Sequence, residues 1–506
     1  MKKLSISTSV LLTLLIGGFV LRADDDGPGE TKIKHVLLIS IDGMHSQDLA
    51  KWVSANPSST LARLTATGVN YPNAFTTQPS DSIPSTVGIF TGASPALGGM
   101  YYDDAWHRAW WKPGSNCTIG TVATGPGTAI DLKNTIDVDP MPPLPSAATS
   151  IDPTKLPLDS NNGCLPVFPH NMIRVNTIFE VISGAGMYTA FSEKRPSYDF
   201  LNGPSGVGVQ DLYTPEIASY NLLDPTLDFT GIQTFDDLRV TSVLNEINEL
   251  NHDGTAAAPL PALFGMNFQA VNSAKKSSTT SGYADSAGTP DAILMGALSY
   301  VDNSIGRMLS AFPPGQLKKT AIVITAKHGE SPVGNQRTIV LTSLIGKILT
   351  AAGISTQKIT QKTSALIWLT DQTQTALAVA ALTASPLLAP NLNQVLSFGS
   401  ANFPFPDPTV DPAVPDIVVV MNNGVNFEPS LTSTTYAEHG GFGENETHVP
   451  LLISNPEWPS STDNTLVSTR QIAPTVLKLL GLDPNALQAV QIEGTPVLPE
   501  FIPPGQ

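Results

Sequence analysis

The clearest pattern in the chain is a series of short apolar runs, rich in β-branched residues, that each end in polar residues. Such runs predict strands that are buried on both faces, as in a parallel sheet covered by helices. They lie at residues 35–41, 321–325, 417–421 and 449–454. Patterns with apolar residues at helical spacing occur between them, at residues 59–67, 290–309 and 469–480. Strands that alternate with helices predict an α/β sandwich with a mostly parallel central sheet.

Two stretches interrupt this alternation. Residues 103–170 are rich in Pro, Asn and Trp, and we interpret them as a loop insertion over one edge of the core. Residues 337–412 repeat helical and strand patterns before a Pro-rich segment, which predicts a small α/β cap subdomain. The core is then expected in three pieces, at residues 31–102, 171–336 and 413–506.

The first residues of the chain have the pattern of a secretory signal peptide. Lys2 and Lys3 precede an apolar stretch at 10–21, and Ala23 stands just before a run of aspartates. We therefore predict a signal peptide at 1–23 and a secreted or periplasmic protein with no membrane span after its removal. The alternative is an uncleaved anchor, for which the apolar stretch is short, because a bilayer span needs about 20 residues.

The charge of the chain limits its partners. Its 43 acidic and 27 basic side chains give a net charge of −16, and the predicted signal peptide contains basic but no acidic residues. A surface of this sign repels polyanions, so a nucleic-acid scaffold role is not expected. An anionic substrate would need local positive charge from a metal, a lysine or a helix N-terminus.

Two cysteines, Cys117 and Cys164, lie in the same insertion of an apparently exported chain. We predict that they form a disulfide. A reactive thiol pair is the alternative, although neither cysteine has the spacing of a redox motif.

Polar residues that follow buried strands are the first candidates for chemistry, because ligands of open α/β sheets gather at the carboxyl ends of the strands. Asp42 follows the first predicted strand and His328 follows the run at 321–325. In the segment QPSDSIPSTVGIFTG (78–92), Pro84 fits the first turn of a helix, which places Ser82 just before its N-terminus. An attacked phosphate there would face the positive end of the helix dipole. Each residue alone could instead be a helix cap or a structural strand-end residue.

Five segments in this order resemble the nucleotide pyrophosphatase/phosphodiesterase branch of the alkaline phosphatase superfamily: ISIDGM, QPSDSIPSTVGIFTG, ITAKHGE, AEHGGFGENETHVPLLISNP and TRQIAPTVLKLLGL. The resemblance covers most of the chain outside the two insertions. It implies an alkaline-phosphatase-like three-layer sandwich. It also implies a hydrolase whose Thr or Ser nucleophile attacks phosphorus between two divalent metals, usually zinc.

The resemblance assigns roles to individual residues. Ser82 matches the nucleophile and a metal ligand, while Asp42, His328 and His439 match metal ligands. Ser85 matches the position of an asparagine that contacts a non-bridging phosphoryl oxygen in the family.

Other positions depart from the family pattern. Lys327 stands where the family has the aspartate of Asp-His-Gly, and Asn272 and Lys276 stand where it has Asp-x-x-x-His. We therefore hypothesise one metal on Asp42, Ser82 and His328, with Lys327 or Lys276 supplying the charge of the second ion and Asn272 and Lys276 contacting substrate. Alternatively, nearby groups rebuild the second site. The reserve candidates are Asp81, Glu438, Glu444, Glu446 and His448.

These observations predict a metal-dependent hydrolase of small phosphate esters, diesters first, that works through a covalent phosphoseryl intermediate. The cofactor is predicted to be a divalent metal, zinc by resemblance, as one or two ions. One alternative is a sulfatase. Thr86 argues against it, because the sulfatase motif has arginine at this position. Another is a catalytically degraded binding protein on the same scaffold.

Overall fold

The computed structural model describes residues 32–119, 126–133, 136, 151–220 and 229–499. The predicted signal peptide at 1–23 lies outside these residues. The strands are β1 (His35–Ile41), β2 (Gly68–Asn70), β3 (Ala74–Phe75), β4 (Asp104–His107), β5 (Thr128–Asp131), β6 (Leu158–Asp159), β7 (Leu165–Pro166), β8 (Ala190–Ser192), β9 (Asp211–Tyr213), β10 (Leu263–Phe268), β11 (Thr320–Thr325), β12 (Thr338–Leu341), β13 (Thr356–Gln361), β14 (Ser364–Leu369), β15 (Leu392–Ser397), β16 (Ile417–Met421), β17 (Val425–Glu428), β18 (Leu451–Ser454), β19 (Ser461–Thr462) and β20 (Val467–Ser468).

The helices of the described residues are α1 (Ser46–Ala55), α2 (Thr60–Thr65), α3 (Ser82–Thr91), α4 (Pro95–Gly98), α5 (Ile178–Gly184), α6 (Ile217–Tyr220), α7 (Phe229–Ile247), α8 (Ala270–Ser277), α9 (Ala292–Ala311), α10 (Ser343–Ala351), α11 (Thr375–Thr383), α12 (Glu444–Thr447), α13 (Ile472–Leu479) and α14 (Gln488–Glu493). Among these residues, no helix is both long and apolar enough to cross a membrane.

A central sheet of eight strands organises the core, in the order β19-β2-β18-β11-β1-β10-β8-β9. Strands β11, β1, β10, β8 and β9 are parallel, and β18 runs antiparallel to β11. Because side chains alternate along a strand, β1 serves two cores. Val36 and Leu38 pack with α3, α5 and α13, whereas Leu37 and Ile39 pack with α1, α2, α7, α8 and α9. The predicted three-layer α/β sandwich is confirmed.

The predicted strand at 417–421 forms, but in a different sheet. It is β16, an inner strand of a second, antiparallel sheet of order β13-β14-β16-β15. Helices α10 and α11 cover one face of this sheet through a separate apolar cluster. The prediction that 417–421 belongs to the core is therefore wrong, and the cap sheet continues beyond residue 412. A buried apolar run identifies a strand but does not say which sheet it joins.

The insertion carries the predicted disulfide. Cys117 and Cys164 are bonded, with their Cα atoms 5.9 Å apart. Around them, β4 pairs with β5 and β6 pairs with β7, each antiparallel. The insertion is thus ordered around small hairpins in its described parts.

Candidate active site

The polar residues of the site follow neighbouring strands of the central sheet. Asp42 directly follows β1, and His328 lies three residues beyond β11. Lys194 follows β8, and Gln269 follows β10. Because these strands are parallel, their carboxyl ends bring the four side chains to one edge of the sheet, where α/β folds bind ligands.

Ser82 is the first residue of helix α3, whereas the position of Pro84 predicted it just before the helix. Asp81 caps the helix by accepting a hydrogen bond of 3.2 Å from the backbone N–H of Ile83. The Ser82 hydroxyl lies 3.1 Å from Nε2 of His328. All residues of α3 are buried, so the positive end of the helix dipole acts on Ser82 with little screening.

The orientation of the His328 ring makes it an acceptor for Ser82. Its Nδ1 lies 2.9 Å from the carbonyl oxygen of Gly329, which can only accept, so Nδ1 carries the proton. Nε2 is then free to accept the hydrogen bond of the Ser82 hydroxyl. Burial, together with the charge of Lys194, lowers the pKa of His328 to about 3 against the opposing effect of Asp42, so the ring is neutral near pH 7.

Asp42 is fully buried and contacts two ammonium groups. Nζ of Lys194 donates to its Oδ2 at 2.7 Å, and Nζ of Lys327 lies 3.6 Å from the same oxygen. The amide of Asn267 also donates to this oxygen, at 3.1 Å. Burial opposes the charge of this carboxylate, but the two lysines outweigh burial and hold the pKa of Asp42 well below its usual range.

Each of these lysines has further partners. Lys327 contacts Glu193 at 2.5 Å, donates to the hydroxyl of Tyr198 at 3.0 Å and lies over that ring. Lys194 also donates to the side-chain oxygen of Gln269 at 2.9 Å. Burial and the nearby Lys327 lower the pKa of Lys194 to about 8, which leaves its ammonium mostly charged at neutral pH.

A second group lies beside the first, around His439. Its ring stacks on that of His328, with centroids 3.6 Å apart and an angle of 8° between the planes. Nδ1 of His439 lies 3.1 Å from a carboxyl oxygen of Glu330, which also accepts from the amide of Asn272. Burial is the main cause that raises the pKa of Glu330 to about 8. Lys276 pairs with Glu438 at 2.9 Å.

The side chains at the two metal positions do not fit the pair of divalent ions that the resemblance implied. At the first position, Lys327 replaces a carboxylate and Lys194 already donates to Asp42. At the second, Asn272 and Lys276 replace a carboxylate and an imidazole. A protonated amine has no lone pair for a cation and repels it.

One group of possible ligands remains in the described part of the chain. Ligand atoms of His328, Glu330 and His439 all lie within 4.8 Å of one another, which is close enough for one ion. Imidazole, however, binds a metal along the lone pair of a nitrogen, in the plane of the ring. The two rings are stacked in nearly parallel planes, so one of them would have to turn before both could bind the same ion.

A cavity of about 380 Å³ opens above Ser82. The core contributes Lys194, Lys276 and His439 to its lining, and the cap contributes Lys362 and Phe427. Nζ of Lys362 lies 2.8 Å from Asp81 and 2.9 Å from Asp103. Burial opposes its charge, but these two carboxylates raise the pKa of Lys362 well above its usual value.

The structure brings together most of the residues singled out from the sequence. Asp42, Ser82, Lys327, His328 and His439 converge, with Asn272 and Lys276 lining the same cavity. Whether these residues bind metal or substrate stays a prediction.

Other predicted residues lie outside the cavity lining. Ser85 is buried within α3 and bonds to Thr77 at 3.1 Å, and its contact with a phosphoryl oxygen stays a prediction. Among the reserve candidates, Nε2 of His448 bonds to the carbonyl of Pro72 at 2.6 Å, and its ring stacks on Phe75. Glu446 accepts from the backbone of Gly441, which gives it a structural role.

Glu193, Glu330 and Lys362 were missed from the sequence. Glu193 and Lys194 directly follow β8, but this strand has only three residues and gives no clear apolar run. Lys362 lies in the turn between two cap strands, and its contact with Asp81 spans 281 residues of sequence. Nothing in the local pattern could predict that contact.

Comparisons with known proteins agree with the fold. The sequence model of the family "Type I phosphodiesterase / nucleotide pyrophosphatase" matches residues 36–120, and that of the family "Sulfatase" matches residues 292–482. No curated protein matches the chain by sequence.

Solved structures cover nearly the whole chain. Murine ectonucleotide pyrophosphatase/phosphodiesterase 5 is 15% identical, with a TM-score of 0.56 over 89% of this chain and 96% of that one. An inactive form of that murine protein in complex with AMP is 14% identical, with a TM-score of 0.56 over the same shares of the two chains. A mutant of the alkaline phosphatase PafA is 12% identical, with a TM-score of 0.57 over 90% and 97%.

Proposed function

We propose that this chain is a member of the alkaline phosphatase superfamily and a secreted hydrolase of small phosphate esters, with Ser82 as its nucleophile. The two family-model matches and the shared fold support this proposal. One observation carries this proposal. The Ser82 hydroxyl lies at the N-terminus of a buried helix, 3.1 Å from Nε2 of His328, at a cavity lined by lysines. A nucleophile, a base and positive charge for a phosphoryl group therefore meet in one place.

The reaction proceeds in two displacements at phosphorus. In the first, the Ser82 hydroxyl gives its proton to Nε2 of His328 while its oxygen attacks phosphorus opposite the leaving group. The ammonium of Lys194 and the positive end of α3 stabilise the charge on the phosphoryl oxygens. In the second displacement, water attacks the phosphoseryl group and Ser82 recovers the proton from His328.

The cavity supports a small anionic ester as substrate. Its volume of about 380 Å³ and its lysines suit a phosphoryl group with a modest substituent. The neighbouring murine protein has been solved with AMP, which is a phosphate ester of this size. We keep phosphodiesters as the first class to test. Secretion agrees with the disulfide between Cys117 and Cys164.

Sulfate esters form a second candidate class, because the sulfatase family matches residues 292–482. Sulfate and phosphate esters share the tetrahedral shape and anionic charge that the lysines would bind. The match does not include the nucleophile turn at 78–92, so it supports the core of the site without identifying the reacting group.

Turnover of chromogenic phosphodiester, phosphomonoester and sulfate substrates tests the proposal, with wild type and Ser82→Ala compared. We expect phosphate ester hydrolysis by wild type and a loss of about a thousandfold or more in Ser82→Ala. Acid quenching during turnover should leave one phosphoryl group on Ser82 by mass spectrometry. Ser58→Ala, at an exposed serine of the core, is the control. A Ser82→Ala variant with wild-type turnover would exclude Ser82 as nucleophile.

A further inference from the structure

We propose that lysine ammonium groups take the place of both divalent ions in this site, so that the chain hydrolyses its substrate without a bound metal. Lys194 and Lys327 serve the Asp42 side, and Lys276 serves the His439 side. This inference rests on the proposed function and specifies how its charge is supplied. It starts from the observation that lysines and an asparagine stand where the family has metal ligands.

The Asp42 side already contains its cations. Two ammonium groups lie 2.7 and 3.6 Å from the same oxygen of Asp42, both on buried side chains. Each is held by another acceptor, Lys194 by Gln269 and Lys327 by Glu193. A divalent ion on Asp42 would have to displace or approach both ammonium groups, and its repulsion would be strong at this depth.

Lysine ammonium groups also lie at the second metal position, beside His439. Lys276 is 8% exposed, and its ammonium lies 2.9 Å from Glu438. The ammonium of Lys362 lies 3.5 Å from Nε2 of His439, the ring nitrogen that does not face Glu330. A cation at that nitrogen would meet the ammonium of Lys362, and the nearby carboxylate of Asp81, 4.0 Å from the nitrogen, already pairs with that lysine.

Five carboxylates around the cavity pair with lysines, whereas Glu330 contacts His439 and Asn272, and Glu428 accepts from Ser433. Asp42 pairs with Lys194 and Lys327, and Glu193 pairs with Lys327. Glu438 pairs with Lys276, and Asp81 and Asp103 share Lys362. Buried carboxylates that await a metal are expected to lack such partners, because their charge would otherwise go unsatisfied without the ion. The charge of these five acids is balanced by lysines of the chain itself.

The bonds and protons of the two displacements can be accounted for without a metal. The Ser82 oxygen forms a bond to phosphorus as its proton passes to His328, and the bond from phosphorus to the leaving oxygen breaks. The leaving oxygen keeps the electron pair and takes a proton from solvent. Water then bonds to phosphorus and loses a proton to solvent, and the departing Ser82 oxygen takes back the proton held by His328. Lys194 and Lys276 line the cavity and can donate to the phosphoryl oxygens.

The first experiment measures metal and turnover in the same preparation. The mature chain is purified without a metal-binding tag, dialysed against a strong chelator and analysed for bound elements. We expect far less than one ion per chain and a kcat/KM for the phosphodiester within about twofold of the undialysed protein. One tightly bound ion per chain whose removal abolishes turnover, and whose return restores it, would overturn the inference while leaving the proposed hydrolase intact.

The second experiment restores the ligands of the family. Zinc is titrated calorimetrically into chelator-treated wild type and into the triple variant Asn272→Asp, Lys276→His, Lys327→Asp. We expect binding only by the triple variant, and Lys318→Asp, at an exposed lysine, serves as the control for added negative charge. Stoichiometric zinc binding by wild type would overturn the inference. This measurement needs no turnover, so it decides the inference even if the proposed hydrolase activity is not found.

Discussion

Glu246 on α7 is a buried acid that does not line the cavity. One of its oxygens accepts from Ser242 at 3.2 Å, and the other has no hydrogen-bond partner among the described residues. Burial, and secondarily the charge of Asp211, raises the pKa of Glu246 well above its usual value. Below about pH 4, both folded and unfolded states carry the proton. As the pH rises the unfolded state loses it first, so the free energy of unfolding falls.

Glu246→Gln removes this titration while keeping the size of the side chain. We expect the variant to be more stable than wild type, by a margin that is larger at pH 8 than at pH 5. The margin grows by about 1.4 kcal/mol for each pH unit above the pKa of the unfolded state, until the pH reaches the pKa of the folded state. Thermal unfolding at both pH values checks this, with Glu457→Gln on the surface as control. An equal margin at the two pH values would contradict it.

Gly43, directly after Asp42, has a φ of +81°, and a Cβ there would lie 2.8 Å from the Cα of Asn272. Gly43→Ala should therefore push α8, with Asn272 and Lys276, away from the cavity. Gly353→Ala is a matched control, since its φ is +75° and its Cβ would meet nothing within 4 Å. We expect the free energy of unfolding, measured in urea, to fall by about 1–2 kcal/mol in both variants, because alanine disfavours this backbone conformation. Only Gly43→Ala should also lose kcat/KM, and a normal kcat/KM would show that α8 tolerates the shift.

Single residues were predictable where the chemistry follows a long strand or a distinct turn. Asp42 and His328 follow β1 and β11, and Ser82 begins the helix that Pro84 indicated. The residues that change the interpretation are the lysines. Lys327 was visible as a departure from the family, but its partner Glu193 and the pairing of Lys194 with Asp42 depend on contacts between distant strands.

At the level of elements, the insertion is held by the bond between Cys117 and Cys164, which are 47 residues apart in sequence. Closing a loop of this length is expected to stabilise the folded state by about 4 kcal/mol through the entropy of the unfolded chain. A reducing agent should therefore lower the melting temperature of wild type. The double variant Cys117→Ser, Cys164→Ser should melt lower in both conditions and show no response to reductant. A wild-type melting temperature that is unchanged by the reductant would show that the disulfide adds no stability.

Elements with long apolar runs were predicted closely. Short elements were missed, and the sheet that a buried strand joins was not predictable. Strand β1 was predicted at its observed bounds, and the helix predicted at 290–309 is α9, which begins and ends two residues later. Strand β8 has three residues and was invisible as a pattern. Strand β16 was visible but was assigned to the wrong sheet, because its buried sequence suits the middle of either sheet.

For the whole molecule, the cap is joined to the core at the turn between β13 and β14. Lys362 pairs with Asp81, Thr363 donates to Glu446 at 2.7 Å, and Ser364 donates to the carbonyl of Gly440 at 2.6 Å. These bonds are buried or partly buried, so separating the cap would leave polar groups unsatisfied. We expect cap and core to unfold in one transition, with calorimetric and van't Hoff enthalpies that agree.

The variant Lys362→Met, Thr363→Val tests this coupling. Removing these two side-chain contacts should weaken the interface between cap and core and split or broaden the calorimetric transition. Lys358→Met on strand β13, whose lysine pairs with Asp104 of the insertion, is the control for a lost cap lysine outside this turn. A single sharp transition in the double variant would show that other contacts hold the two units together.

The ammonium groups on Asp42 have a consequence for how the protein is made. Each positive charge that faces this carboxylate is part of the polypeptide and arrives with translation. Under the proposals of secretion and metal-free catalysis, no metal has to be loaded after export, and folding alone completes the protein. Its supply would then not depend on competition for scarce trace elements outside the cell.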